Sequence, residues 1–170
     1  GLGGNLCNAA PSGDGIPALI VHSAVARIAG SGGTREVPVE EFCTGPSRTV
    51  LKPGELLISI EVPKPAPNSG AAYARFIPRN EMDIAVAGVG VYVELDDSGN
   101  NFESARIALS SVGPTPILAT EAGDSLAGKP VDDKTIDTAA NLARDAASPI
   151  TDMRGTINQR KQLIEVLSGR

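Results

Sequence analysis

Pro63, Pro65 and Pro67 alternate through VPKPAPNSGAA, residues 62–72, and neither a helix nor a central strand can run through them. Each proline lacks an amide hydrogen and fixes its own φ. The run therefore predicts a first part over residues 1–63, a linker over 64–71 and a second part over 72–170. In the first part, GIPALIVHS reads as a short helix, and AVARIAGSGGTREVPV as two strands joined by a glycine-rich turn. VEEFCTGP reads as one helical turn stopped at Gly45-Pro46. ELLISIEVP reads as a largely buried strand with Leu56, Ile58, Ile60 and Val62 on one face and Leu57 on the other.

The second part alternates differently. AAYARFI is a strand, and DIAVAGVGVYVELD is a longer one with Val89, Val91, Val93 and Leu95 on one face. Gly88, Gly90, Tyr92 and Glu94 occupy the other face, so something approaches the backbone closely there; a packed helix or a cofactor would both suffice. DDSGNN turns the chain and FESARIALSSV returns, giving a three-stranded antiparallel meander. Three helices follow. The first lies in PILATEAGDSLAG and ends at Gly128. The second, VDDKTIDTAANLARDAAS, has alanines at helical spacing and Asp132 or Asp133 as N-cap. The last, TDMRGTINQRKQLIEVLSGR, turns Leu163, Ile164 and Leu167 inward. The fold class expected is α+β, with strands and helices segregated.

Aromatic residues make up only 3% of the chain and tryptophan is absent, so the core must be built from Val, Ile, Leu and Ala. A net charge of -5 argues against nucleic-acid binding, which needs a basic surface. No apolar run approaches the roughly 20 residues of a membrane span. The opening residues lack a secretion-signal pattern, and reduced cysteines in a cytoplasmic protein are the expectation. Cys7 and Cys43 form no CxxC pair, so this chain predicts no zinc site or iron–sulfur cluster of its own.

Few residues invite chemistry. The one histidine, His22, lies in the apolar stretch ALIVHSAV and reads as structural. Met82 and Asp83 sit where a loop enters a strand, with Asp83 as a turn or capping residue. The RKQ at 160–162 reads as a solvated helix face, and no P-loop, HExxH or GxSxG pattern occurs. The opening GLGGNLCNAAPSGD is unusual. Glycines at 1, 3 and 4 allow positive φ and leave the backbone bare. Successive N–H groups in such a loop can cradle anionic oxygens. Asn5 and Asn8 add amides, and Asp14 can hold a hydroxyl. A phosphate-bearing ligand and a plain turn both fit this stretch.

GGNLCNAAPSGD also resembles the second glycine-rich stretch in the FAD-binding subunit of molybdenum-containing hydroxylases, of the carbon monoxide dehydrogenase and xanthine dehydrogenase type. The likeness continues in order through TGPSRTVLKPGELLISIEVP, AAYARFIPRNEMDIAVAGVGVYV, IALSSVGPTPILATEA and ASPITDMRGTINQRKQLIEVL, spanning essentially the whole chain. The resemblance implies the FAD-binding α+β domain over 1–63 and a three-strand, three-helix flavoprotein domain over 72–170. It implies a flavoprotein that passes electrons from iron–sulfur clusters of a small subunit through FAD to an acceptor, beside a large molybdopterin subunit. Gly3, Gly4 and Asn5 would then approach the FAD diphosphate, with Cys7 and Asn8 along the same wall. Asp14 would hydrogen-bond the cofactor, Leu57 would touch the flavin ring, and Arg75 would stand where the family commonly has lysine. Ala10 replaces a serine common in the family. No catalytic acid or base and no metal ligand is implied. Family members carry a further N-terminal segment with a first glycine-rich loop, so a fragment is expected here. A docking module for the partner subunits is the alternative reading.

Overall fold

A computed structural model describes residues 1–79 and 83–170. Met82 lies outside the described residues. The first part contains α1 (Leu2–Asn8), α2 (Gly15–Val21), β1 (Val25–Gly30), β2 (Gly33–Pro38), α3 (Val39–Phe42), β3 (Cys43–Gly45), β4 (Arg48–Thr49) and β5 (Leu56–Glu61). The second contains β6 (Ser69–Phe76), β7 (Ala87–Leu95), β8 (Phe102–Ser110), β9 (Ile117–Leu118), α4 (Thr120–Asp124), α5 (Asp133–Ala146) and α6 (Ile157–Ser168). The sheets run β2-β1-β5, β3-β4 and β6-β7-β8-β9, and every pairing is antiparallel. The expected meander is present, extended by the two residues of β9, which pair Leu118 and Ile117 with Ala108 and Leu109.

The opening stretch corrects its sequence reading. It forms a helix, with Leu6 fully buried and Ala9 closing it at φ 47°. Neither Gly3 nor Gly4 has positive φ. Two glycines in one short helix oppose its formation, and burial of Leu6 against Ile16, Leu19 and Phe42 in a shared core offsets that cost.

β5 is corrected as well. Leu56 and Ile58 are 70% and 53% exposed, and Val62 is exposed too, while Leu57 and Ile60 face the core. The pairing explains the change. Arg27 lies opposite Ser59 and the next residue, Ile28, opposite Leu57, so Ile58 is the extra residue of a bulge. A bulge breaks the two-residue alternation, and Leu57 and Ile60, three apart, then point the same way.

The four-stranded sheet is covered on both faces. α4, α5 and α6 pack on one, where Val89, Ile107, Leu109, Ala139, Ala143 and Ile164 are all at least 97% buried. α2 packs on the other, and that core joins Ile16, Leu19 and Ile20 to Tyr92 and Ala108. Polar ties reinforce the same contact. Arg106 donates to Ile20 O at 3.0 Å and pairs with Glu40 at 2.8 Å, and Ser111 N donates to Pro11 O at 2.8 Å. The proline run is itself pinned, with Ala66 N donating to the Tyr92 hydroxyl at 3.1 Å.

Both long helices carry side-chain caps, the first of them at one of the two aspartates expected from the sequence. Asp132 accepts from Thr135 N at 2.8 Å at the start of α5, and Thr156 accepts from Gln159 N at 3.2 Å at the start of α6. No helix among the described residues is long and apolar enough to cross a membrane.

Candidate functional site

α1 lies beside β5 and the start of α2, and its glycines divide by what they face. A Cβ on Gly3 would lie 3.7 Å from Leu57 Cδ2, an ordinary contact, and a Cβ on Gly4 would meet nothing within 4 Å. Protein packing therefore requires glycine at neither position. Gly13 and Gly15, which sequence reading passed over, are more tightly surrounded. A Cβ on Gly15 would sit 2.8 Å from Leu2 Cδ1, and one on Gly13 would sit 3.0 Å from Ile16 Cδ1 and 3.1 Å from Asn5 Oδ1.

Asn5 serves the protein. Its amide hydrogen goes to Gly1 O at 3.0 Å, and its side-chain oxygen accepts from Gly15 N at 3.1 Å. It thus takes the place of an N-cap for α2 and locks the two helices together. The N–H groups of Leu2, Gly3 and Gly4, in the first turn, have no acceptor within the helix. The concave array of donors expected from a loop is replaced by a helix end.

Asp14 stands at the N-cap of α2 but makes no capping bond. Its carboxylate turns towards β6, where the Tyr73 hydroxyl donates to Oδ1 at 2.7 Å and Arg75 pairs with Oδ2. Two expected site residues, Asp14 and Arg75, are therefore in direct contact, and Leu57 lies on the side of Gly3 where a Cβ would point. Cys7 and Asn8 are exposed on the last turn of α1. Desolvation pushes the Cys7 thiol up; burial, then the nearby Cys7, does the same for Cys43. Neither is an activated thiolate.

The other candidates hold structure. His22 meets Tyr92 edge-on with ring centroids 5.3 Å apart. Asp83 accepts from Ile84 N at 2.8 Å and faces Arg79 and Arg154, each at 3.4 Å, as a turn residue does.

Arg160 reverses its expectation. It is 95% buried, donating to Val86 O at 2.9 Å, Ser111 O at 2.8 Å and Asp152 Oδ1 at 2.7 Å. The helix face was read as solvated because charge in an amphipathic helix ordinarily marks the outside. Here the guanidinium ties α6 to the start of β7 and the end of β8. It borders a cavity of about 580 Å³ whose walls include Pro11, Ser12, Ile84 and Pro149. The backbone N–H of Arg154, then Arg160, hold the Asp152 carboxyl below the usual carboxylate range. Among the described residues near this cavity, no nucleophile is paired with a base.

Comparison with known proteins agrees with this layout. Residues 1–65 match a family model described as the FAD binding domain in molybdopterin dehydrogenase, and residues 72–170 match the CO dehydrogenase flavoprotein C-terminal domain. The carbon monoxide dehydrogenase medium chain of Afipia carboxidovorans is 34% identical over 170 residues, 99% of this chain and 58% of that protein. The xanthine dehydrogenase FAD-binding subunit of Escherichia coli O157:H7 is 29% identical over 98% of this chain and 56% of its own length. This chain thus spans little more than half of those relatives. The solved carbon monoxide dehydrogenase of Hydrogenophaga pseudoflava superposes with a TM-score of 0.93 at 30% identity, covering 99% of this chain and 58% of that one. With both parts matched in order and the fold superposed throughout, the chain belongs to the family of FAD-binding medium subunits of carbon monoxide and xanthine dehydrogenases.

Proposed function

We propose that this chain forms part of an FAD cradle in the electron-transfer subunit of a molybdenum hydroxylase. The observation that carries the reading is Gly4. Glycine inside a helix costs about 0.5–1 kcal/mol relative to alanine, and no neighbouring atom of the protein demands it here. A group approaching the backbone from outside supplies the missing reason, and the diphosphate of FAD has the charge to meet the first-turn N–H groups.

The surrounding residues fit the same cofactor. Leu57, beside Gly3, offers an apolar face for a ring, and Asp14 and Arg75 offer a carboxylate and a cation. In this reading Asn5 holds α1 against α2, and Cys7 and Asn8 line the wall beyond. Asp14 accepts from a cofactor hydroxyl, and Arg75 orients the flavin end. FAD supplies the redox chemistry when bound, while the chain binds and orients it. The partners are an iron–sulfur subunit and a molybdopterin subunit in the cytoplasm, and the chain divides into 1–63 and 72–170 about the segment 64–71.

The test is flavin content. The protein assembled with its partner subunits should retain one FAD per chain after unbound flavin is removed, measured as flavin released on denaturation. An assembly that retains no flavin after exposure to excess FAD contradicts the proposal. Exposed Leu56, Ile58, Ile150 and Met153 favour a second reading, docking without cofactor, which predicts association of the same subunits in a complex that releases no flavin on denaturation.

A further inference from the structure

We propose that Tyr73 is a positioning residue for cofactor binding, holding the Asp14 carboxylate in place from a seat made by Ser110 and Gly88. The inference rests on Asp14 being a ligand of the flavin cofactor. It starts from a bond that Asp14 does not make. An aspartate at an N-cap ordinarily accepts from the amide two or three residues on, yet this one makes no capping bond. Asn5 takes the first N–H of α2 instead, through its contact with Gly15 N. Asp14 is thereby released to reach β6, a strand 59 residues further on, where Tyr73 donates to one oxygen and Arg75 to the other.

Tyr73 and Arg75 are two apart on one strand and so share a face. Between them and β8 stands Gly88, paired with Arg75 on one side and Ser110 on the other. A Cβ on Gly88 would lie 2.6 Å from the Tyr73 oxygen and would also collide with Ser110 Oγ. The glycine in β7 therefore makes room for a hydroxyl. Ser110 Oγ is 3.5 Å from that hydroxyl and can donate to its oxygen while the tyrosine proton goes to Asp14. Burial pushes the phenol pKa up, and accepting Asp14 pushes it further, so Tyr73 stays a protonated donor at any working pH. The side chains of Asp14 and Arg75 remain 40% and 34% exposed, which leaves the outer edge of the pair open to a ligand.

The experiment is a double-mutant cycle on FAD affinity in the assembled flavoprotein, using Tyr73→Phe, Asp14→Asn and both together. Flavin fluorescence reads the binding, and the melting midpoint of each flavin-free protein reads the fold. Phenylalanine keeps the ring and removes only the hydroxyl. Asp14→Asn is expected to weaken FAD binding about tenfold, the loss of one charged hydrogen bond. Tyr73→Phe should weaken it about three- to tenfold alone and less than about twofold in the Asp14→Asn background, since its effect runs through that carboxylate. Equal effects of Tyr73→Phe in both backgrounds overturn the proposal, as does unchanged affinity in the single variant. An Asp14→Asn protein with wild-type affinity also overturns it, leaving the flavin assignment standing. A wild-type assembly without flavin fails the assignment itself.

Discussion

The glycines of α1 and those of β7 have the same side chain and opposite surroundings. Gly88 and Gly90 are surrounded by protein: the first makes room for Tyr73 and Ser110, and a Cβ on the second would lie 3.2 Å from the Pro17 carbonyl group in α2. Gly3 and Gly4 border an ordinary contact and open space. In β7 the reason for glycine is inside the fold and can be read from its own packing. In α1 no described residue supplies a reason, and helix propensity argues against glycine there. A bare backbone that these neighbours do not use is what the proposed FAD contact requires. The two sheets repeat the lesson on a larger scale. The sheet that contains β7 is covered on both faces, and the one that contains β5 presents Leu56 and Ile58 to solvent.

The contrast is broken most forcefully in β7. Gly90→Val would drive two methyl groups into Pro17 and should cost about 2–3 kcal/mol, loosening α2 from the sheet. Chemical denaturation checks this, and a loss below about 0.5 kcal/mol would mean that α2 yields and that Gly90 is no more constrained than Gly4. A smaller effect belongs to the open sheet, where Arg35 holds Glu55 in a paired hydrogen bond of 2.9 and 2.8 Å. Its side-chain hydrogen bonds, then the Lys52 amide, lower the Glu55 carboxyl from 4.5 to about 2. A carboxyl depressed by folding contributes stability that is fully present above its unfolded pKa and is lost as pH falls through its folded one. The contribution should therefore fade between about pH 4.5 and 2. Glu55→Gln should flatten that part of the acid-unfolding curve and leave the β7 side unchanged; an unaltered acid limb would contradict the pairing.

Much of this was legible in the sequence, and the failures have physical causes. Strict alternation marked the face of Val89 that is buried in the core, because both faces of its sheet are defined by packing. Asp132 announced its cap because the bond spans only three residues. The matched blocks carried the family. The opening helix was hidden because local propensity opposes it, and a long-range contact, burial of Leu6, decides. β5 turned its other face inward because a single bulge at Ile58 leaves no mark in composition. Arg160 looked solvated because its acceptors, Val86 O and Ser111 O, lie 74 and 49 residues away. At the candidate site the resemblance placed Asp14 and Arg75 near one cofactor. Gly88 was marked in the sequence as a place of close approach, but Tyr73, which occupies that space, carried no local signal.

Gly4→Ala tests the central claim most directly, because it separates what the fold wants from what the ligand needs. With nothing within 4 Å of the new methyl group, the flavin-free protein should gain about 0.5–1 kcal/mol in stability, while the assembled flavoprotein should lose FAD affinity by about tenfold or more. A variant that is stabilised and still binds FAD as tightly as the wild type would show that nothing approaches the backbone there, and the account of the opening helix would be wrong.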